Sequence, residues 1–154
     1  MVTQEWDVVQ IHKTTAMGSF TTLATLAPLL HRLDGDFHIL HHPIRPGEQP
    51  ELAQYPNLHP HPDRSFTDTA ALVEAMDLVI SVDTSIAHLA GALARPIWLM
   101  LPAATTDFRW LHGRTDSPWY PTMRIFRQPR LGDWAGMVED VITAWQQGPL
   151  GERP

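Results

Sequence analysis

The chain has 154 residues, of which 44% are hydrophobic and 18% are charged, and its formal net charge at pH 7 is -6. This length suits a single core, and 11 basic residues are too few for a protein that wraps a nucleic-acid backbone. The absence of cysteine excludes disulfides and thiolate metal sites. The N-terminus lacks the apolar stretch of a signal peptide and no run is long enough for a membrane span. We therefore expect a cytoplasmic protein without a membrane span.

The first part of the chain predicts one helix between two short strands. WDVVQI (6–11) is a β-branched apolar run that suits a buried strand, and FHIL (37–40) is typical of a second one. The leucines of 20–33 recur at helical spacing, although Pro28 implies a kink or a late start. The segment 41–65 is dense in proline and histidine, which predicts mostly irregular structure with one helical turn near Leu52.

The second part alternates helices with strands that are apolar throughout, as strands buried on both faces are. The segments are a helix in DTAALVEAM (68–76), a strand in DLVISV (77–82), a helix in TSIAHLAGALA (84–94), a strand in PIWLML (96–101), a strand in MRIF (123–126) and an amphipathic helix from about Trp134 to Trp145. This alternation predicts crossover units and an α/β fold, namely a Rossmann-like, three-layer parallel sheet with helices on both faces. We expect one domain over residues 1–148, followed by a flexible tail at 149–154.

The stretch SVDTSIAHLAGALA (81–94) places polar residues where a buried strand ends and a helix begins. Ligands of open parallel sheets bind at this edge, and the free N–H groups of a first helical turn attract anions. Asp83, Thr84, Ser85 and His88 are therefore candidates for a phosphate site. The alternatives are that Asp83, Thr84 or Ser85 is an N-cap and that His88 is a partly buried histidine without a ligand.

The run DLVISVDTSIAHLAGALARPIWLMLP, together with DSPWYP (116–121) and RIFRQP (124–129), carries a resemblance to a known family. It resembles the nucleotide-sugar-binding half of the ADP-heptose (lipopolysaccharide heptosyltransferase) family of glycosyltransferases. It is still more similar to the glycosyltransferase-type domain attached to tetratricopeptide repeats in many bacterial proteins. The resemblance implies one half of a two-domain GT-B architecture, with the acceptor site and the catalytic base supplied by an N-terminal domain.

By this resemblance, the diphosphate of an ADP- or UDP-linked sugar donor is held by Asp83, Thr84, Ser85 and His88, and by a loop whose counterpart here is Thr14 and Thr15. The family often has a Lys or Arg a few residues beyond those threonines, whereas this chain has Gly18, Ser19 and Phe20 there. An acid that bonds the donor's ribose hydroxyls is matched by Glu48, for which an ordinary exposed loop residue is the alternative.

Two further groups of residues invite a functional interpretation. In the loop 102–122, Arg109 is a candidate donor contact, and Trp119 and Tyr120 either form a rim over the donor or clamp the loop to the core. The spacing of His41, His42, His59 and His61 lacks a frame for convergent ligands, so we predict no metal and no cofactor beyond the sugar donor.

The function predicted from the sequence is the donor-binding domain of a glycosyltransferase-like protein, completed by an acceptor or tetratricopeptide-repeat domain. The first alternative is a non-catalytic interaction module on the same fold with a decayed nucleotide site, which the missing cation favours. A second alternative is a free-standing nucleotide or phosphate binder of flavodoxin-like topology.

Overall fold

Alternating strands and helices build one parallel sheet in the computed structural model, which describes residues 7–9, 23–40, 49–61, 65–104 and 107–148, with the backbone alone at 7–9 and 49. The strands are β1 (Asp7–Val9), β2 (Asp36–Ile39), β3 (Leu58–Pro60), β4 (Leu78–Val82), β5 (Ile97–Leu101) and β6 (Met123–Arg127). The helices are α1 (Leu23–Arg32), α2 (Gln49–Leu52), α3 (Phe66–Ala75), α4 (Ser85–Ala92) and α5 (Trp134–Gln146).

The sheet order is β3-β2-β1-β4-β5-β6, and neighbouring strands run parallel. The chain therefore winds outward from β1 to one edge and then crosses back to build the other half of the sheet from β4. Such an order has a reversal point between β1 and β4, where the two halves meet. The predicted fold class, a parallel sheet with helices on both faces, is confirmed.

The alternating side chains of the central strands reach two separate cores. Leu78 and Ile80 of β4 join the core that contains α1 and α5, whereas Val79 joins the core that contains α3 and α4. All five residues of β4 and all five of β5 are buried, because helices cover both faces of these strands. No helix in the described ranges has the length and apolar character needed to cross a bilayer.

The strand β3 was not predicted from the sequence, which gave the region as irregular apart from the turn near Leu52 that α2 confirms. β3 is a three-residue strand at the end of the sheet order and finishes on Pro60. Proline has no N–H group to donate to a neighbouring strand, so within sheets it is found mainly in edge strands such as β3. The proline-rich composition thus led to a prediction of irregular structure where the chain forms the edge strand β3.

The start of α3 also differs from the prediction. The helix begins at Phe66 with Ser65 as its N-cap, and Asp68 is the third helical residue rather than the start. The Ser65 hydroxyl accepts a hydrogen bond from the Asp68 N–H at 3.1 Å, and the Asp68 carboxylate accepts from the Ser65 N–H at 3.2 Å. This reciprocal capping box fixes the helix two residues earlier than its apolar pattern suggested.

Candidate functional site

The polar turn after β4 lies at the carboxyl edge of the sheet. The buried strand ends at Val82, Asp83 follows it, and Thr84 is the N-cap of α4 with an extended backbone. Ala87 and Ala90 of α4 are fully buried against the sheet, which small side chains permit. The first turn of α4 is thereby held at the edge where parallel sheets bind ligands.

Thr84 caps α4 through its backbone only. Its carbonyl accepts from the Ala87 N–H at 3.1 Å, but its side chain makes no capping hydrogen bond to the helix. The Thr84 hydroxyl instead lies 3.3 Å from the hydroxyl of Ser81, which donates to the Val82 carbonyl at 2.8 Å. The N-cap alternative is thus correct for the position of Thr84, yet its side chain leaves the N–H groups of Ser85 and Ile86 available to another acceptor.

The imidazole of His88 is held by two aromatic rings. It stacks on Trp110 with ring centroids 5.1 Å apart and an interplanar angle of 25°, and it meets the edge of Tyr120 at 5.8 Å. Its Nδ1 lies 2.9 Å from the hydroxyl of Tyr120. Its Nε2 lies 3.9 Å from Oδ1 of Asp83, which shows that the ring points back toward the start of α4.

Gly91 lets Tyr120 come this close to α4. A Cβ atom at position 91 would lie 2.6 Å from Cδ1 and 2.9 Å from Cδ2 of Tyr120, distances that packed atoms do not adopt. Glycine is therefore required here because the phenol ring occupies the space of a side chain. With glycine at position 91, the Tyr120 ring lies close enough to α4 for its hydroxyl to reach His88.

Trp110 anchors the other side of the imidazole. It is fully buried at the end of a 3-10 turn (Phe108–Trp110). Arg127 of β6 donates to the carbonyls of Trp110 and Leu111, and burial lowers the pKa of this arginine from its ordinary value. Within the described part of the chain, the indole N–H of Trp110 finds no acceptor.

The loop that supplies these rings also holds the predicted contact Arg109. Its guanidinium bonds Asp107 at 2.7 Å, and its backbone N–H donates to the same carboxylate at 2.9 Å. Arg109 thus closes a local turn with Asp107. Of the two rim candidates, Tyr120 packs on the core that contains α3 and α4, whereas Trp119 is 61% exposed.

The remaining predicted residues divide between described and undescribed parts of the chain. Thr14, Thr15 and Glu48 lie outside the described residues, as do His41 and His42. His38 Nδ1 lies 2.9 Å from His61 Nε2, and His59 Nε2 lies 2.5 Å from Asp36 Oδ1. Among the described residues, no three histidine or acidic side chains are arranged to hold a metal ion.

The packing of Trp110 and Tyr120 around the His88 ring, here called the aromatic clamp, was not predicted from the sequence. Tyr120 was considered as part of a rim or as loop packing, and neither Tyr120 nor Trp110 was connected with His88. A separation of 32 residues between His88 and Tyr120 gives no periodic signal, and the order of β5 and β6 brings the two together only in the folded sheet. The one available signal was the glycine in an alanine-rich helix, which often marks a close approach.

The fold resembles one half of a GT-B glycosyltransferase architecture. Two structures of the E. coli heptosyltransferase WaaC, one with ADP-2-deoxy-2-fluoro heptose and one with ADP, match with TM-scores of 0.67 and 0.66 at 21% and 22% sequence identity. Each match covers 90% of this chain, and the chain covers 43% and 44% of the two WaaC chains. The shared feature is the fold.

Residues 53–128 match the family model described as glycosyltransferase family 9 (heptosyltransferase). This region contains β3 to β6, the turn after β4 and the aromatic clamp. Protein FlbA of Caulobacter vibrioides is 37% identical over 78 residues, which are 50% of this chain and 12% of FlbA. The chain thus spans less than half the length of the WaaC chains and about an eighth of FlbA.

Proposed function

We propose that this chain is the donor-binding half of a glycosyltransferase-like protein and takes a nucleoside diphosphate sugar, linked to ADP or UDP, at the start of α4. The observation that carries the proposal is the turn Asp83–Ser85, where the Thr84 side chain leaves the N–H groups of Ser85 and Ile86 uncapped and the Nε2 of His88 points to the same end. The likeness to the fold of a heptosyltransferase solved with ADP supports it.

The chemistry of this edge suits a diphosphate. Backbone N–H groups at a helix start provide donors together with the positive end of the helix dipole. The Nε2 of His88 adds a donor, and its hydrogen bond to an ionised phosphate oxygen is charge-assisted even when the ring is neutral. Ser85 is an exposed first-turn residue whose hydroxyl adds another donor.

Asp83 needs a separate role, because a carboxylate repels a phosphate. Its Oδ1 lies 3.9 Å from Nε2 of His88, beyond hydrogen-bonding distance but close enough to favour a ring with its N–H on that side. We therefore give Asp83 the task of orienting His88 and give the phosphate contacts to Thr84, Ser85 and His88. Thr14, Thr15 and Glu48 remain predictions from the resemblance, and Arg109 remains a prediction from the composition of its loop.

Isothermal titration of the full chain with ADP, UDP, GDP and their sugars tests the proposal. We expect heat with a nucleoside diphosphate, and we expect His88→Ala to raise its Kd about 10- to 100-fold, the range for the loss of one charge-assisted hydrogen bond. The control is His112→Ala, which removes an exposed histidine of the loop 102–122. No heat with any of these ligands at millimolar concentration, or an equal loss in both variants, would overturn the proposal.

Sugar transfer needs more than this half. A base must deprotonate the acceptor hydroxyl, and positive charge must stabilise the departing diphosphate. We propose that an N-terminal acceptor domain or a tetratricopeptide-repeat domain completes the site, that residues 1–148 form a single domain ahead of a flexible tail, and that the protein works in the cytoplasm. The length of the WaaC chains relative to this one supports a missing half.

A second candidate function is a non-catalytic interaction module. Phe108 is 77% exposed and Trp119 is 61% exposed, both on the loop that carries the aromatic clamp, and exposed aromatic side chains often mark protein contacts. The double variant Asp83→Ala with His88→Ala separates the candidates, with binding to a separately expressed tetratricopeptide-repeat segment as the readout. An interaction module keeps that binding in the double variant, whereas the variant Phe108→Ser with Trp119→Ser loses it.

A further inference from the structure

Three contacts hold Tyr120 beside His88: two hydrogen bonds from its turn to Ser117 and the packing of its ring on Gly91. The buried hydroxyl of Ser117 accepts from the backbone N–H of Trp119 at 3.2 Å and of Tyr120 at 3.3 Å. The ring then rests on the backbone of α4 at Gly91. The phenol has therefore one position relative to α4, and its hydroxyl is aimed at Nδ1 of His88, 2.9 Å away.

This hydrogen bond decides which nitrogen of the neutral imidazole carries the hydrogen. A neutral ring has one N–H and one acceptor nitrogen, and a partner on one nitrogen sets the role of the other. A phenol is a good donor and a weaker acceptor, so it favours an acceptor at Nδ1. Asp83 acts in the same sense, because its carboxylate lies near Nε2 and can only accept.

We infer that Tyr120 is a positioning residue that donates to Nδ1 of His88 and so keeps the ring N–H on Nε2, at the start of α4. Trp110 holds the plane of the ring by stacking, and Tyr120 sets its tautomer. The site then presents a donor to its ligand, which selects groups that accept hydrogen bonds, such as phosphate oxygens, over amines. This choice of ligand class depends on the proposed function, whereas the tautomer itself does not.

The experiment is ¹⁵N NMR of the histidine ring nitrogens in the full chain at a pH where the imidazoles are neutral. The chain has nine histidines, so the His88 signals are identified by their loss in His88→Gln. We expect an acceptor-type Nδ1 and a protonated Nε2 in the native chain, and a population of the opposite tautomer in Tyr120→Phe. The same variant is expected to bind ADP about three- to tenfold more weakly, the effect of one neutral hydrogen bond.

Tyr55→Phe is the matched control, because Tyr55 also lies beside a histidine ring, that of His31 at 5.4 Å. It should leave both the His88 signals and ADP binding unchanged. A protonated Nδ1 in the native chain, or a tautomer that persists in Tyr120→Phe, overturns the inference. If Tyr120→Phe fails to fold, the spectrum of the native chain still tests the tautomer. A native chain that has the expected tautomer but binds no ADP refutes the proposed function and leaves the inference about Tyr120 standing.

Discussion

Substitution of Gly91 by alanine tests whether the contact between α4 and Tyr120 holds the site together. The added Cβ would meet the phenol ring at 2.6 Å and 2.9 Å, so the ring must shift by several tenths of an ångström or more. Overpacking of this kind costs about 1–3 kcal/mol, and loss of the hydrogen bond to His88 adds about 1 kcal/mol. Alanine has the higher helix propensity, which raises the free energy of unfolding by up to about 1 kcal/mol and offsets part of this loss.

The sum is a loss of about 2 kcal/mol in the free energy of unfolding, which lowers Tm by about 4–8 °C for a chain of this size. Urea unfolding followed by circular dichroism measures it, and an unchanged slope with denaturant shows that the unfolded state is the same. We also expect weaker binding of ADP, because the shifted phenol no longer positions His88.

The decisive comparison is Gly91→Ala in a Tyr120→Ala background. With the phenol removed, the new methyl group has space, so the same substitution should be neutral or stabilising by up to about 1 kcal/mol. This change of sign is the signature of a direct clash in a double-mutant cycle. Equal destabilisation in both backgrounds would show that Gly91 is needed for a reason other than Tyr120.

Two further predictions concern the end of α4 and the extent of the folding unit. Ala94 has a positive φ of 53° in a Schellman turn, so Ala94→Gly should raise the free energy of unfolding by about 0.5–1 kcal/mol. Ala92→Gly, at the last residue of α4, should instead lower the free energy of unfolding by up to a similar amount, because alanine has the higher helix propensity. Thermal unfolding compares the two variants, and a lower Tm for Ala94→Gly than for the native chain would contradict this prediction. The segment 53–128, which matches the family model, should not fold when expressed alone, because β3 would lose its neighbour β2 and the strands β4 and β5 would lose the helices α1 and α5 that cover one face. The segment 1–148 should keep the Tm of the full chain. A cooperative unfolding transition in 53–128 would refute this prediction.

The sequence predicted the middle of the sheet well because burial there is uniform. β4 and β5 are apolar at every position, and only strands covered on both faces have that pattern. β3 was missed because an edge strand needs neither a long apolar run nor freedom from proline. Local pattern therefore predicts central strands, whereas edge strands depend on a neighbour that the sequence does not identify.

At the candidate site, the sequence located the turn and left its partners unknown. Asp83, Thr84 and His88 lie close together because one turn of chain joins them, so their spacing was informative. Tyr120 and Trp110 reach His88 only through the packing of a long loop on α4. Arg109 was chosen for its charge, and its pairing with Asp107 depends on the backbone of the 3-10 turn.

The central place of β1 has a consequence for how the chain folds. β1 pairs with β2 on one side and with β4 on the other, through partners such as Val8 and Leu78 that lie far apart in the chain. The packing of α1 against α5 joins segments even farther apart. Long-range closure slows folding, since loop entropy is lost before the contacts form. During synthesis, β1 can therefore pair with β2 first, but it gains its second neighbour only after β4 is made, and α1 meets α5 only after that helix is made.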